Sequence, residues 1–320
     1  MSNISNTSVT ISVTWGFTPI SELVLMPFSL LFNGLVLLAF LLNPQLHIPF
    51  NFYLANLVLT NFVYTLIEIP LDIVNGLYSV WWMGPAVCDL YQYLNYVFSG
   101  TIVNTHMLIT VNRIWALTFP HSYTHMHTKR TALVGCAMVW VYVHAACLPG
   151  LILNTRVRLP LDSSGCQLNY EHLFAWNVFV EFVVFVLPQC LITVAYPHLL
   201  CQRRQQRLVR SAMDGPTLQE ITTGPMTKNG GRQRDNKKAF GVLTVSTLSV
   251  TLTWTPGSVY YGMSCFMDVS YMPVYFLISS FLFLVQTVMD PILFMMVLGD
   301  LRVAVWQIVK KVHFWCLRMS

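Results

Sequence analysis

The stretch ITVNRIWALTFP (109–120) places Arg113 at the end of a long apolar run, beside the neutral Asn112. A cation with no local partner is costly inside an apolar medium. It is tolerable where a long side chain at the edge of a membrane reaches water or backbone carbonyls. The solvent around the segment therefore decides the fold, and composition identifies it. Hydrophobic residues make up 55% of the 320-residue chain and charged residues 10%. Soluble domains carry about a quarter charged residues. Mean hydropathy is +0.58. The chain reads as a membrane protein.

Working outward from Arg113, apolar runs recur at about 20–43, 50–77, 86–118, 131–151, 173–200, 239–265 and 271–297. Each is long enough to cross a bilayer as a helix, which takes roughly 20 residues. The runs are continuous rather than alternating, so a β-barrel is disfavoured. Backbone groups in lipid must bond within their own segment, and helices meet that demand. The expected fold is an all-α membrane protein, a seven-transmembrane helix bundle.

Lysine and arginine set the orientation. If 1–19, 78–85, 152–172 and 266–270 are outside, only Arg156 and Arg158 of the 18 Lys and Arg residues lie there. That bias predicts an outside N-terminus and an inside C-terminus. The +5 net charge is then a topology signal rather than a sign of nucleic-acid binding.

The resulting division is an extracellular tail (1–19), a membrane domain (20–300) with a third intracellular loop at 202–238, and a helix and cytoplasmic tail at 301–320. The tail lacks the layout of a cleavable signal peptide. Its Asn3 and Asn6 match the glycosylation sequon. The middle of the long loop, DGPTLQEITTGPMTKNGG, is rich in Gly, Pro and Thr and reads as irregular. Near the end, Leu301, Val303, Val305, Trp306 and Val309 alternate with Arg302, Gln307 and Lys310. This predicts a short amphipathic helix on the inner leaflet. Cys88 and Cys166 both fall outside, where oxidising conditions favour a bridge. Cys316 follows Lys310-Lys311 and is a candidate for palmitoylation or an inert tail thiol.

Landmarks accumulate along the spans: Asn33 in FNGLVLL, NFYLANLVLTN (51–61), Trp81 seven residues before Cys88, and Asn112-Arg113-Ile114. Trp140 and Pro149 follow, then Pro188 with Tyr196, LTWTP with Trp254 and Pro256, and DPILF (290–294). In this order and spacing they resemble the rhodopsin-like G-protein-coupled receptors over about residues 20–310. The nearest look is to amine receptors of the muscarinic and histamine type. The resemblance implies a receptor in the plasma membrane that binds a small-molecule or peptide ligand and couples to a heterotrimeric G protein. It implies no cofactor and no metal.

The same resemblance assigns candidate residues. Asn95, Tyr96, Glu181, Trp254, Ser258 and Ser280 stand at ligand-pocket positions. Asn61, Asn112, Arg113, Tyr196, Trp254, Pro256, Asp290, Pro291 and Phe294 stand at switch positions. Several depart from the pattern. Asn95 replaces the aspartate that pairs with a ligand's ammonium, while Gly257, Ser280 and Leu284 replace cage tyrosines. No lysine lies between Lys238 and Lys310, so a retinal Schiff base is excluded.

Asn112 replaces the aspartate that restrains Arg113, and Asn236 replaces a second restraining acid, with Asp235 one residue away. His106 and Ser246 replace aliphatic residues that seal the centre of the bundle. Asn61 and Asp290 look like a carboxylate exchanged across one cavity, and Ile102 offers no oxygen for sodium.

Glu68, Asp72 and Glu181 lie in the outer halves of their helices. Glu181 is the candidate cation anchor, against a protonated or headgroup-facing alternative; Asp72 reads as solvated. His121, His125 and His127 read as loop polarity. There is no nucleophile–base constellation, phosphate loop or zinc spacing. A receptor-fold protein that signals poorly and acts by dimerisation or sequestration remains the alternative. A transporter would need inverted repeats, which the sequence lacks.

Overall fold

The computed structural model describes residues 13–195, 197, 201, 204, 228–269 and 272–319. Asn3, Asn6, Tyr196, most of the third internal loop and the side chains of Asp235, Asn236 and Cys316 lie outside the described set.

The chain forms α1 (Phe17–Leu42), α2 (Pro49–Leu77), α3 (Pro85–Thr118) and the short α4 (Pro120–Met126). These are followed by α5 (Lys129–Val157), α6 (Phe174–Ala195), α7 (Lys228–Ser264), α8 (Pro273–Val297) and α9 (Gly299–Met319). Proline opens α2, α3, α4 and α8. Its fixed φ suits the first turn, and the N–H it lacks would have no partner there. Thr128 caps α5 by accepting from the Thr131 N–H at 3.2 Å. α7 begins at Lys228, inside the stretch read as the third internal loop.

α1, α2, α5, α6 and α8 are each long and apolar enough to span a membrane. α3 falls outside that measure for a physical reason. It touches α2, α5, α6 and α7, so its inward residues need not match lipid. It buries Asn104, Thr105, His106, Asn112 and Arg113. The outward faces carry Leu41, Val141, Val194 and Leu252, all well exposed, as lipid requires.

Proline also explains two cross-helix bonds. Pro188 has no N–H to offer the Val184 carbonyl one turn back, and Asn104 Nδ2 donates to that oxygen at 2.9 Å instead. Pro291 leaves the Thr287 carbonyl without its donor, and Asn33 Nδ2 fills the place at 2.9 Å. Each such buried bond contributes about 1 kcal/mol, and each fixes the rotation of one helix against another. The segment Glu181–Val186 is π-helical, which turns the Val183 carbonyl toward Tyr142 Oη at 2.8 Å. Gly100 lets α3 approach closely, since a Cβ there would meet Val184 and Val143 side chains at 2.8 and 2.9 Å.

Cys88 and Cys166 are joined by a disulfide. It ties the loop after α5 to the start of α3, beneath Trp81 stacked on Tyr91 at 5.6 Å. α9 turns back against α1 and α8. It buries Leu301, Ala304, Val305 and Ile308, a stripe at helical spacing. Val303 and Trp306, read from sequence as part of the same apolar face, point outward at 55% and 58% exposure.

Candidate functional site

The described polar interior falls into three levels. At the outer level Tyr96 Oη donates to Asn177 Oδ1 at 3.1 Å, and its ring meets Trp176 at 5.2 Å and Phe185 at 6.2 Å. Glu181 is buried and lies within electrostatic reach of Tyr96, Tyr170 and Tyr261. The fold thus brings Tyr96 and Glu181 to one region. A small cleft beside Tyr96 is lined by Asp89, Gln92, Tyr93, Tyr96 and Trp176 among others, and Glu181 is not part of its lining.

Asn95 is directed elsewhere. Its Nδ2 donates to Glu68 Oε1 at 3.0 Å, so the amide on α3 is attached to a carboxyl on α2. Asp72, read from sequence as solvated, is half-buried and accepts from Tyr91 Oη at 2.6 Å. Ser258 and Ser280 are both half-buried. A Cβ on Gly257 would meet nothing within 4 Å, so the absent side chain leaves open space. Trp254 packs edge-on against Phe283 at 4.7 Å. Its buried Nε1 has no partner.

The middle level is a hydrogen-bonded carboxylate. Asp290 accepts from Asn61 Nδ2 at 2.9 Å and Gln286 Nε2 at 2.5 Å, and pairs with His106 Nε2 at 3.1 Å. His106 Nδ1 reaches Ser246 Oγ at 3.2 Å. Gln286 Oε1 accepts from Ser249 and Thr253, both at 2.8 Å. One buried network therefore joins α2, α3, α7 and α8. His106 and Ser246, read from sequence as a leak in an aliphatic seal, are the members that carry it from α8 through α3 to α7.

The inner level surrounds Arg113. The guanidinium carbon lies 2.9 Å from the centroid of the Phe50 ring. The residue is 8% exposed, and its Nε has no hydrogen-bond partner. Among the described residues no carboxylate reaches ion-pair distance of it; the pairs found are His106–Asp290 and Arg158–Asp89. Asn112 turns toward α2 and α4. Its Nδ2 donates to Tyr53 Oη at 3.5 Å, and its Oδ1 accepts from Tyr123 Oη at 3.3 Å.

His127 completes an aromatic stack, 4.3 Å from Tyr123 and 5.8 Å from Tyr53. Trp115 packs edge-on against Tyr123 at 5.3 Å. Burial, and then the charge of Arg113, push the His127 imidazole down to about 4, so it is neutral near pH 7.

Arg113 at the end of the central helix, the Asn61–Asp290 pair in mid-bundle and the disulfide at the outer end now stand in one geometry. A family model described as 7 transmembrane receptor (rhodopsin family) matches residues 32–294. The chain belongs to that family. Similar proteins include melanopsin of Branchiostoma belcheri, 21% identical over 236 residues covering 71% of this chain and 33% of that protein. The 5-hydroxytryptamine receptor 1B of Vulpes vulpes is 24% identical over 176 residues, 55% of this chain and 45% of the relative. Trace amine-associated receptor 8c of Mus musculus is 24% identical over 232 residues, 70% of this chain and 66% of the relative. The matches thus span from a third to about two thirds of these relatives' lengths.

Within this rhodopsin-family bundle, sequence reading missed three groups. Glu22 is an acid inside an apolar run, and that signal was available. The ring under Arg113 and the Tyr53–Tyr123–His127 stack had no such signal, because they join α2 to the end of α3 and to α4, more than 60 residues away.

Proposed function

We propose that this protein is a plasma-membrane receptor with its N-terminus outside, transmitting an extracellular signal to a heterotrimeric G protein. The ligand is a small molecule or peptide that reaches a pocket around Asn95, Tyr96, Glu181, Trp254, Ser258 and Ser280. The switch runs through Asn61, Asp290, Pro291, Phe294, Trp254 and Pro256 to Asn112 and Arg113. Two of the similar proteins are named for amines, which supports a small ligand.

The observation that carries the reading is Arg113. It is buried at the inner end of the central helix, where a ring covers it and, among the described residues, no carboxylate pairs with it. A surface-type ion pair contributes about 0–1 kcal/mol and a partly buried one more. A desolvated ring contact contributes about 2 kcal/mol, against about 3–5 kcal/mol for breaking a buried ion pair, so the ring holds the resting state less firmly. Losing ~1.4 kcal/mol of bias raises the active-to-inactive ratio about tenfold. The receptor therefore signals measurably without ligand. The test is basal second-messenger output at matched surface expression, comparing wild type, Arg113→Ala and empty vector. Wild type indistinguishable from vector for every G-protein class, with Arg113→Ala unchanged, refutes the coupling and favours the poorly signalling alternative.

A further inference from the structure

Among the described residues, no cation pairs with the acids in the outer parts of α1 and α2. Glu22 of α1 and Glu68 of α2 are 6% and 0% exposed. Asp72, one turn beyond Glu68, lies against Glu22, and Glu68 is within electrostatic reach of both. Asn95 occupies Glu68 Oε1, and Tyr91 occupies Asp72 Oδ1. Glu22 Oε2 and Glu68 Oε2 are buried acceptors with no donor among the described residues.

A buried polar atom left without its partner costs about 1–3 kcal/mol, and more if it is charged. Two such atoms on adjacent helices, with Glu22 hydrogen-bonded to Asp72 between them, leave acceptors open to a donor. Acids within membrane spans face the interior and mark ligand or ion routes. Among the described residues these carboxyls do not gather into a group able to hold a metal ion. An organic cation with separate N–H groups can reach acceptors on two helices.

We propose that Glu22, Glu68 and Asp72, oriented by Asn95 and Tyr91, bind the primary ammonium groups of an organic cation. The carboxylate absent from α3 is supplied by α2 through the Asn95 contact, on the α1 side of the bundle. This names the ligand chemistry of the pocket proposed above and rests on that reading for the direction of entry. Thr14 N donates to the Leu77 carbonyl at 2.8 Å, so the segment before α1 lies across the outer end of α2, beside the route.

The probe is radiolabelled putrescine, a primary diamine, on full-length protein purified into lipid nanodiscs with no G protein present. Choline, equally cationic at nitrogen but without N–H donors, is the competitor. Putrescine is expected to bind saturably and choline to compete at least about tenfold more weakly; removing one partner of a buried charged hydrogen bond, by Glu68→Gln or Asp72→Asn, costs about tenfold or more in affinity. The exposed acid of the outer loop, by Asp162→Asn, serves as control and leaves binding unchanged. Where Glu68→Gln fails to fold, the half-buried Asp72→Asn carries the test.

Monodisperse, disulfide-bonded wild type with no saturable binding up to about 1 mM putrescine overturns the site. So does equal competition by choline, or a loss caused by Glu181→Gln that Glu68→Gln does not cause. The assay needs no signalling, so a failed coupling experiment leaves its result readable. Intact basal signalling without putrescine binding sinks the site alone.

Discussion

Replacing Phe50 with leucine isolates what holds Arg113. The guanidinium carbon is 2.9 Å from the ring centroid, and the arginine is 8% exposed. A cation–π contact contributes about 0.5–1 kcal/mol at an exposed site and about 2 when desolvated, so the upper figure applies. Leucine keeps apolar cover over the guanidinium but has no quadrupole to face it.

If the contact belongs to the resting arrangement, its loss shifts the balance toward signalling by roughly 10- to 30-fold in the active-to-inactive ratio. The assay is basal second-messenger output at matched surface expression. Phe50→Tyr retains the ring face and should behave as wild type. Phe50→Leu at wild-type output, with normal surface level, would show that the ring does not restrain Arg113.

Other outcomes follow from the same geometry. Asn112→Asp keeps the acceptor for Tyr123 Oη and adds a carboxylate beside Arg113; basal output should fall several-fold, by ~1 kcal/mol of added restraint, and unchanged output counts against it. Cys88→Ser opens a bridge with a sequence separation of 78; about 4 kcal/mol is lost in the chain-entropy model, so surface level should collapse, and free alkylation of both thiols in surface protein would contradict the bond. Asp290 is already served by Asn61, Gln286 and His106, and Ile102 adds no oxygen, so replacing potassium by sodium at equal ionic strength should leave the thermal midpoint unmoved; a sodium-specific rise refutes this. His127 is held near 4, below its ordinary range; the docking of α4 is therefore complete above about pH 6.5 and weakens as pH falls toward 4, measurable as faster amide exchange over 120–127 that His127→Phe abolishes.

Much of the fold was legible because it depends on what one helix needs from its solvent. Apolar run length is a local signal, and the runs at about 20–43, 50–77 and 86–118 match α1, α2 and α3 to within a few residues. The Asn61–Asp290 facing was also legible, since an amide and an acid had exchanged places in one pattern. What sequence could not give was helix rotation. Asn95 was read as a missing charge, yet its amide turns to Glu68 on the next helix. His106 was read as a polar gap, yet it bridges Asp290 and Ser246 across three helices. On α9, Val303 and Trp306 satisfied the apolar alternation, but the helix turned its Leu301–Ala304–Val305–Ile308 stripe to the bundle.

Of the four asparagines at expected acid positions, the side chain of Asn236 lies outside the described set; the other three were met in three ways, and the difference follows from burial. Asn61 sits in the driest part of the bundle, at 0% exposure. An uncompensated acid is most costly there, and Asp290 is surrounded by donors from three side chains. Asn95 lies nearer the outside, and the acid it contacts, Glu68, keeps one oxygen without a donor among the described residues; the proposed ammonium ligand would supply one. Asn112 lies at the inner edge, where no acid replaces the lost one among the described residues, and a ring covers the cation instead. A closed network resists change, an open acceptor invites a donor, and a cation covered by a ring is released more cheaply than one in a buried ion pair. Donor satisfaction thus separates the closed network in mid-bundle from the proposed ligand site and the proposed switch at its two ends.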